Sequence, residues 1–176
     1  MSHSTLWRFC PLCASALAWR EEAEDGGPTS RLRCTACDFT HWNNPTPVLA
    51  AVIECTDREG RVLLARNAAW GDKPFFGLIT GFMEAGESPE EGIRREVMEE
   101  TSLAVDALTL LGVWDFQRMN QIIIAYHAQA RGEIRLSPEL VDYRLFAPQD
   151  VRCWRAGTGQ ALAQWLRSRG IEPQWM

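Results

Sequence analysis

The sequence predicts an α/β fold, a sandwich of α/β/α layers around a mixed sheet, preceded by a small four-cysteine module. Three observations point there. Short β-branched and aliphatic runs flank one strongly signalled central helix, and a second amphipathic helix closes the chain. Ahead of them, Cys10-Pro11-Leu12-Cys13 and Cys34-Thr35-Ala36-Cys37 form two Cys-x-x-Cys pairs. The character changes at Asn43-Asn44-Pro45-Thr46-Pro47, so the reading is a module over residues 1–44 and a main domain over 45–176. A chain of 176 residues that is 46% apolar can bury a sizeable core in such a domain.

Within the module, Glu21 to Ser30 is acidic and then rich in Gly, Pro and Ser, and reads as an exposed loop. In the main domain, Val48 to Cys55 and Arg61 to Ala65 are strand-like runs separated by turn material at Asp57 to Gly60, which together predict a buried hairpin. The loop at Trp70 to Pro74 leads into the apolar stretch Phe75 to Thr80. A turn at Gly86 precedes Ser88-Pro89-Glu90-Glu91, which reads as an N-cap, a proline at the first helical position and carboxylates that complement the helix dipole. The helix should run from about Pro89 to about Thr101, with Ile93 and Val97 facing the core and Met98 widening that face. Further strands are expected at Leu108 to Phe116, Gln121 to Ala130, Ile134 to Leu136 and Tyr143 to Phe146. The last helix spans about Gln160 to Arg169, carries Leu162, Trp165 and Leu166 at helical spacing, and stops at Gly170.

A formal charge of −5 gives no overall attraction to nucleic acid or to an anionic membrane, so neither is an expected partner. The apolar runs Val48 to Ile53 and Ile122 to Ala125 fall far short of the roughly 18 residues of a spanning helix. The first ten residues lack the pattern of an export signal, and the expected location is the cytoplasm. In that setting the paired cysteines favour metal over disulfides. Cys10, Cys13, Cys34 and Cys37 can surround a tetrahedral Zn²⁺ in a closed structural site, read here as a zinc ribbon, with a redox role the lesser reading. The nearby Trp7, Phe9, Trp19, Phe39 and Trp42 could stack on bases, but a tiny module is expected to need them as packing around its metal.

The chemistry is expected on the central helix. Glu96, Glu99 and Glu100 are three and four residues apart and project from one face. Three like charges together are unfavourable unless a cation joins them, and Arg95, on an adjacent face, is expected to orient one of them but cannot neutralise three. Oxygen ligands of this kind suit Mg²⁺ or Mn²⁺, ions that keep several waters and bridge to substrate phosphates. A solvated acidic face is the plainer reading of the same residues.

The wider pattern decides between them. Gly81-Phe-Met-Glu-Ala-Gly-Glu87 followed by Arg95-Glu96-Val97-Met98-Glu99-Glu100-Thr101-Ser102-Leu103 resembles the Nudix box, matching each fixed position except the final glycine, here Ser102. The resemblance implies a Nudix-type fold and hydrolysis of a phosphoanhydride bond by metal-activated water. By position it makes Glu96 and Glu100 the principal Mg²⁺ or Mn²⁺ ligands, Glu99 a further ligand or base, the Gly81 carbonyl another donor, and Glu87 the partner of Arg95. A further acid from a downstream loop is expected, with Glu139 and Asp142 as candidates. Together with the zinc ribbon, the arrangement is similar to the NADH-pyrophosphatase-like branch of the family. That branch's Ser-Gln-Pro-Trp-Pro-Phe-Pro motif is replaced by Gly112 to Gln121, so the implied substrate widens to a small-molecule dinucleotide or other nucleoside diphosphate derivative of the NADH/NAD, ADP-ribose or FAD type. Trp114, Phe116 and Phe76 are candidates for contacting a base, with core packing the alternative for each, and Trp70 and Phe75 carry the same ambiguity. Nudix domains often pair, and eight tryptophans are compatible with a homodimer interface. A nucleotide- or RNA-binding regulator without turnover is the alternative function.

Overall fold

The computed structural model describes residues 7–176 and divides into two compact units, Met1–Asn44 and Pro45–Met176. In the first, β1 (Leu17–Glu24) and β2 (Gly27–Cys34) form an antiparallel hairpin, and β3 (Thr40–His41) pairs with β2. The segment expected to be a loop is therefore corrected to paired strand, with Glu21 opposite Ser30 and Glu22 opposite Thr29. Its acids are held by arginines further along the chain. Arg31 grips Glu24 through two hydrogen bonds of 2.7 and 2.8 Å, and Arg33 reaches Glu22 and Glu24. The expectation that the aromatics pack around the metal is corrected for four of the five, Phe39 being half-buried. Trp7, Phe9, Trp19 and Trp42 lie 48%, 65%, 54% and 54% exposed, while Cys10, Leu32 and Cys34 supply the buried interior.

The second unit is built on a six-stranded mixed sheet. Its order is β7 (Ala104–Phe116), β8 (Gln121–Arg131), β4 (Thr46–Cys55), β5 (Arg61–Asn67) and β9 (Leu140–Phe146), with β6 (Ile79–Phe82) pairing the first half of β4. The β4–β8 pairing is parallel and the others are antiparallel, including the expected β4/β5 hairpin. Because side chains alternate along a strand, β4 serves both layers. Leu49, Ala51, Ile53 and Cys55 join a core beneath α1 (Pro89–Thr101), and Ala50 and Val52 join one beneath α2 (Gly159–Ser168). Burial on both faces explains why β4 reads as a continuous apolar run. The short strands β10 (Arg152–Cys153) and β11 (Gln174–Trp175) pair in parallel beside α2. Among the described residues no helix is long and apolar enough to cross a membrane.

Helix α1 begins where its local signals place it. The Ser88 hydroxyl accepts from the Glu91 N–H, the Glu91 carboxylate accepts from the Ser88 N–H, and Pro89 occupies the first turn. Its buried face differs from expectation at one position. Met98 is 48% exposed, because a neighbour of Val97 lies about 100° further round the helix, and the edge of the buried stripe is taken instead by Glu96 and Glu100. The helix ends at Ser102 in the left-handed region, at φ 60° and ψ 14°. Such a conformation costs an L-residue about 1 kcal/mol, partly offset by the hydroxyl donating to the Arg135 carbonyl. Ser102→Gly should therefore stabilise the domain by about 0.5 kcal/mol, a rise of about 1–2 °C in Tm by calorimetry, and an unchanged or lower Tm would contradict this.

The strand expected at Ile134 to Leu136 is absent. This segment has no strand partner because its backbone is spent elsewhere. The Arg135 N–H donates to the Thr101 carbonyl at 2.9 Å and the Ser137 N–H to the Glu100 carbonyl at 3.0 Å, closing the C-terminal turn of α1. Ile134 and Leu136 still pack against the core under that helix. The tether carries the following loop, with Glu139, to the end of α1 that bears Glu100.

Candidate active site

Strand β6, the turn after it and helix α1 bring the acidic residues together. A cavity of about 440 Å³ is lined by Gly81, Glu84, Glu96, Glu99, Glu100 and Glu139, together with Val48, Thr80, Phe82 and Gln121. Gly81 is a site of close approach, since a Cβ there would fall 1.8 Å from the carboxyl carbon of Glu96. Only glycine lets the helix carboxylate lie against that strand. Of the two downstream candidates, Glu139 lines the cavity. Asp142 lies on β9 opposite Arg66, where its carboxylate accepts from the Tyr143 N–H. Glu84 and Gln121 were not singled out from the sequence, and only their placement in the folded chain reveals them.

Arg95 reaches further than expected. Its Nε and one terminal nitrogen donate to the two oxygens of Glu87 at 3.1 and 2.9 Å, and its other nitrogen donates to Glu96 at 2.8 Å and Glu99 at 3.1 Å. The guanidinium fork thus ties two helix carboxylates to the turn, not one. Hydrogen bonds from Arg95 and from the Glu84 N–H hold the Glu87 carboxyl below the usual range. Glu96 is raised by burial, with Arg95 opposing the rise. Glu100 is left out of the network. It is 8% exposed, and its carboxyl group has no hydrogen-bond partner among the described residues. Burial, and then the charges of Glu96, Glu139 and Glu99, push its carboxyl up to about 7. A buried carboxylate facing other carboxylates, with no cation of its own, suits a hard divalent ion held by a few oxygens and water. The donor set therefore fits Mg²⁺ or Mn²⁺.

A second cavity of about 490 Å³ adjoins the first, sharing Val48, Thr80 and Gln121. Trp70, Phe75, Phe116 and Trp154 line it, with Lys73 and Arg118. Of the aromatics that the sequence offers as base contacts, Phe116, Trp70 and Phe75 face this cleft. Trp114 and Phe76 pack partly buried against the core beneath α2, Phe76 beneath the Arg144 guanidinium at 4.5 Å.

In the N-terminal unit, the Sγ atoms of Cys10, Cys13, Cys34 and Cys37 all lie within 4.8 Å of one another, three of the pairs at 3.5–3.6 Å. Zn–S bonds of about 2.3 Å in a tetrahedron require edges of about 3.8 Å, so the four thiols fit zinc. Hydrogen bonds from Ser15 draw the Cys13 thiol down to about 6. Cys37, against a lowering backbone hydrogen bond from Phe39, is pushed up to about 12 by its contacts with the other thiols and by burial, as expected of four thiols crowded together.

Comparison with known proteins agrees with this geometry. The family model described as NUDIX domain matches residues 45–168. The chain belongs to the NUDIX family. Among its relatives is the NAD-capped RNA hydrolase NudC of Mycobacterium tuberculosis (strain ATCC 25618 / H37Rv), 34% identical over 159 residues, an alignment covering 79% of this chain and 48% of that protein. The protein of the same name from Pseudomonas putida is 28% identical over 166 residues, covering 90% of this chain and 54% of its own. The chain thus spans about half the length of the curated relatives it matches. A NUDIX hydrolase crystal structure from Nitrosomonas europaea superposes with a TM-score of 0.77 over 97% of both chains at 24% identity, which shows the shared fold. Against the Nudix box, this chain keeps every carboxylate and departs at Ser102, where the left-handed cap is made without glycine.

Proposed function

We propose that this Nudix chain hydrolyses the diphosphate bond of a nucleoside-diphosphate-linked compound, with Mg²⁺ or Mn²⁺ as cofactor and Zn²⁺ as a structural ion of the N-terminal unit. The observation that carries the reading is Glu100, buried and unpaired, converging with Glu96, Glu99 and Glu139 on one cavity. When bound, the divalent ion supplies Lewis acidity, lowering the pKa of water and neutralising charge on the phosphates. Glu96 and Glu100 would hold it, with the Gly81 carbonyl as a further donor. Glu99, whose side chain is 60% exposed, stands where it can take a proton from attacking water. Arg95 and Glu87 position these carboxylates, because the guanidinium fixes Glu96 and Glu99 relative to the turn. A regulator without turnover would have no need for this set of carboxylates, which disfavours the binding-module alternative.

The relatives' names bear on the substrate. The sequence disfavoured nucleic acid on charge alone, yet the matched relatives are NAD-capped RNA hydrolases, so capped RNA joins the candidate substrates. The test is release of mononucleotide from NADH, NAD⁺, ADP-ribose, FAD, diadenosine polyphosphates and NAD-capped RNA, with Mg²⁺, Mn²⁺ or EDTA. Metal-dependent cleavage between the two phosphorus atoms is expected for at least one. No cleavage of any would sink the hydrolase reading.

A comparison of variants locates the additional acid. Because Glu139 lines the carboxylate cavity and Asp142 does not, Glu139→Ala should lower kcat about tenfold or more while Asp142→Ala changes it less than about twofold. The reverse order would move the acid to β9.

A further inference from the structure

We propose that the aromatic cleft beside the carboxylate cavity selects nucleotides whose ribose carries a phosphate of its own, in addition to the diphosphate that is cut. This deepens the hydrolase reading and rests on it for the placement of the diphosphate. The walls suit a planar base. Trp70 and Phe75 lie with ring centroids 5.1 Å apart, and Phe75 meets Trp154 edge-on at 5.1 Å, giving a continuous aromatic surface along a cleft of about 490 Å³. Gly77 is needed for that surface, since a Cβ there would come within 2.9 Å of the Trp70 ring.

The charges of the cleft point beyond a base. Its lining contains Lys73 and Arg118 and no carboxylate, in a chain whose formal charge is −5. Neither cation forms an ion pair or a hydrogen bond among the described residues, whereas Arg31, Arg33, Arg95 and Arg169 are each paired with glutamate. In the proposed reaction the diphosphate lies against the divalent ion in the neighbouring cavity, and the base is neutral. A substrate with no other anion would leave both cations unmatched. The ribose lies between base and diphosphate, so a phosphate on its 2′ or 3′ oxygen would emerge where the two cavities meet. Turned into the aromatic cleft, it would face the wall that carries Lys73 and Arg118 and accept charge-assisted hydrogen bonds from them. Such a phosphate is a monoester in a free nucleotide and a 3′ diester at the 5′ end of an RNA, and the two present the same chemistry to these side chains.

Metal-free titration calorimetry would test this without turnover, comparing AMP with adenosine 2′,5′-bisphosphate, adenosine 3′,5′-bisphosphate and the dinucleotide pApA. At least one ribose-phosphorylated probe should bind about tenfold more tightly than AMP, an advantage that shrinks as salt is raised. A preference for a bisphosphate would identify a free nucleotide as the source, and a preference for pApA alone an RNA end. In the K73A/R118A double variant the ratio to AMP should collapse to about one, with Tm unchanged because both side chains are exposed. Equal affinity for all four probes in the wild type, no measurable binding of any, or a preference that survives in the double variant would each overturn the proposal. Failure of the hydrolase reading would register in the substrate panel and leave this ratio standing.

Discussion

Glu100→Gln is expected to reduce turnover at least about a hundredfold, because loss even of groups that merely orient metal ligands costs 10- to 100-fold. The same variant should be more stable than the wild type when metal is absent and the pH is high. Burial lifts the Glu100 carboxyl from 4.5 to about 7 in the folded state. The folded chain therefore holds this proton more tightly than the unfolded chain, which favours folding below about pH 4.5. That contribution is lost as the pH rises through about 7, where the buried group ionises. Above that point the carboxylate costs up to about 3 kcal/mol relative to an uncharged side chain. Glutamine carries no such cost. Metal-free melting curves should thus place the variant above the wild type at pH 8, with the gap closing towards pH 5. Excess Mn²⁺ at pH 8 should reverse the order, because only the wild type gains the full stabilisation of ligand binding. A gap that does not change with pH, or equal stabilisation of both chains by Mn²⁺, would remove Glu100 from the ligand set.

Cys34→Ser should lower bound zinc from about one ion per chain to a small fraction of that, measured by elemental analysis, and leave residues 1–44 open to protease. A unit of this size has too little apolar interior to stand unaided, and a structural zinc contributes apparent binding energies of about 10–16 kcal/mol to such modules. Its buried apolar residues, among those described, are Cys10, Leu32 and Cys34, two of them ligands in this reading. Partial proteolysis should release a resistant fragment that begins near Pro45, because the sheet and both helices of the second unit have their own core. A zinc-free variant whose N-terminal unit stays protease-resistant would show that the hairpin, not the metal, holds it.

Much of the fold was legible where the determinants are local. Ser88, Pro89 and Glu91 set the start of α1 within four residues, and the spacing from Gly81 to Glu100 is carried by a turn and one helix. What escaped depends on residues distant in sequence. The β1/β2 hairpin is stabilised by Glu24–Arg31 and Glu22–Arg33 pairs, so its acidic strand has the composition of a loop when read alone. Ile134 to Leu136 has a strand's composition but spends its hydrogen bonds on the end of a helix. The aromatic cleft draws on Trp70, Phe75 and Phe116, each of which the sequence offers as either a base contact or core, and on Trp154, which it does not offer; the four share no periodicity, so only the fold brings them together. Glu139 and Asp142 looked equivalent because both are acids in one short segment; the Ser137–Glu100 backbone contact precedes the first, and pairing with β5 claims the second.

The parallel ladder of β4 and β8 sets Thr46 opposite Gln121 and Cys55 opposite Ala130, so β5, β6, the box helix and all of β7 lie between the paired strands in sequence. Closing so long a loop is entropically costly and slow compared with capping a helix. The carboxylate helix can form early, whereas Val48 and Gln121, which border both cavities, meet only when that ladder closes. The carboxylate cavity and the aromatic cleft thus share a border that exists only once this long-range ladder is made.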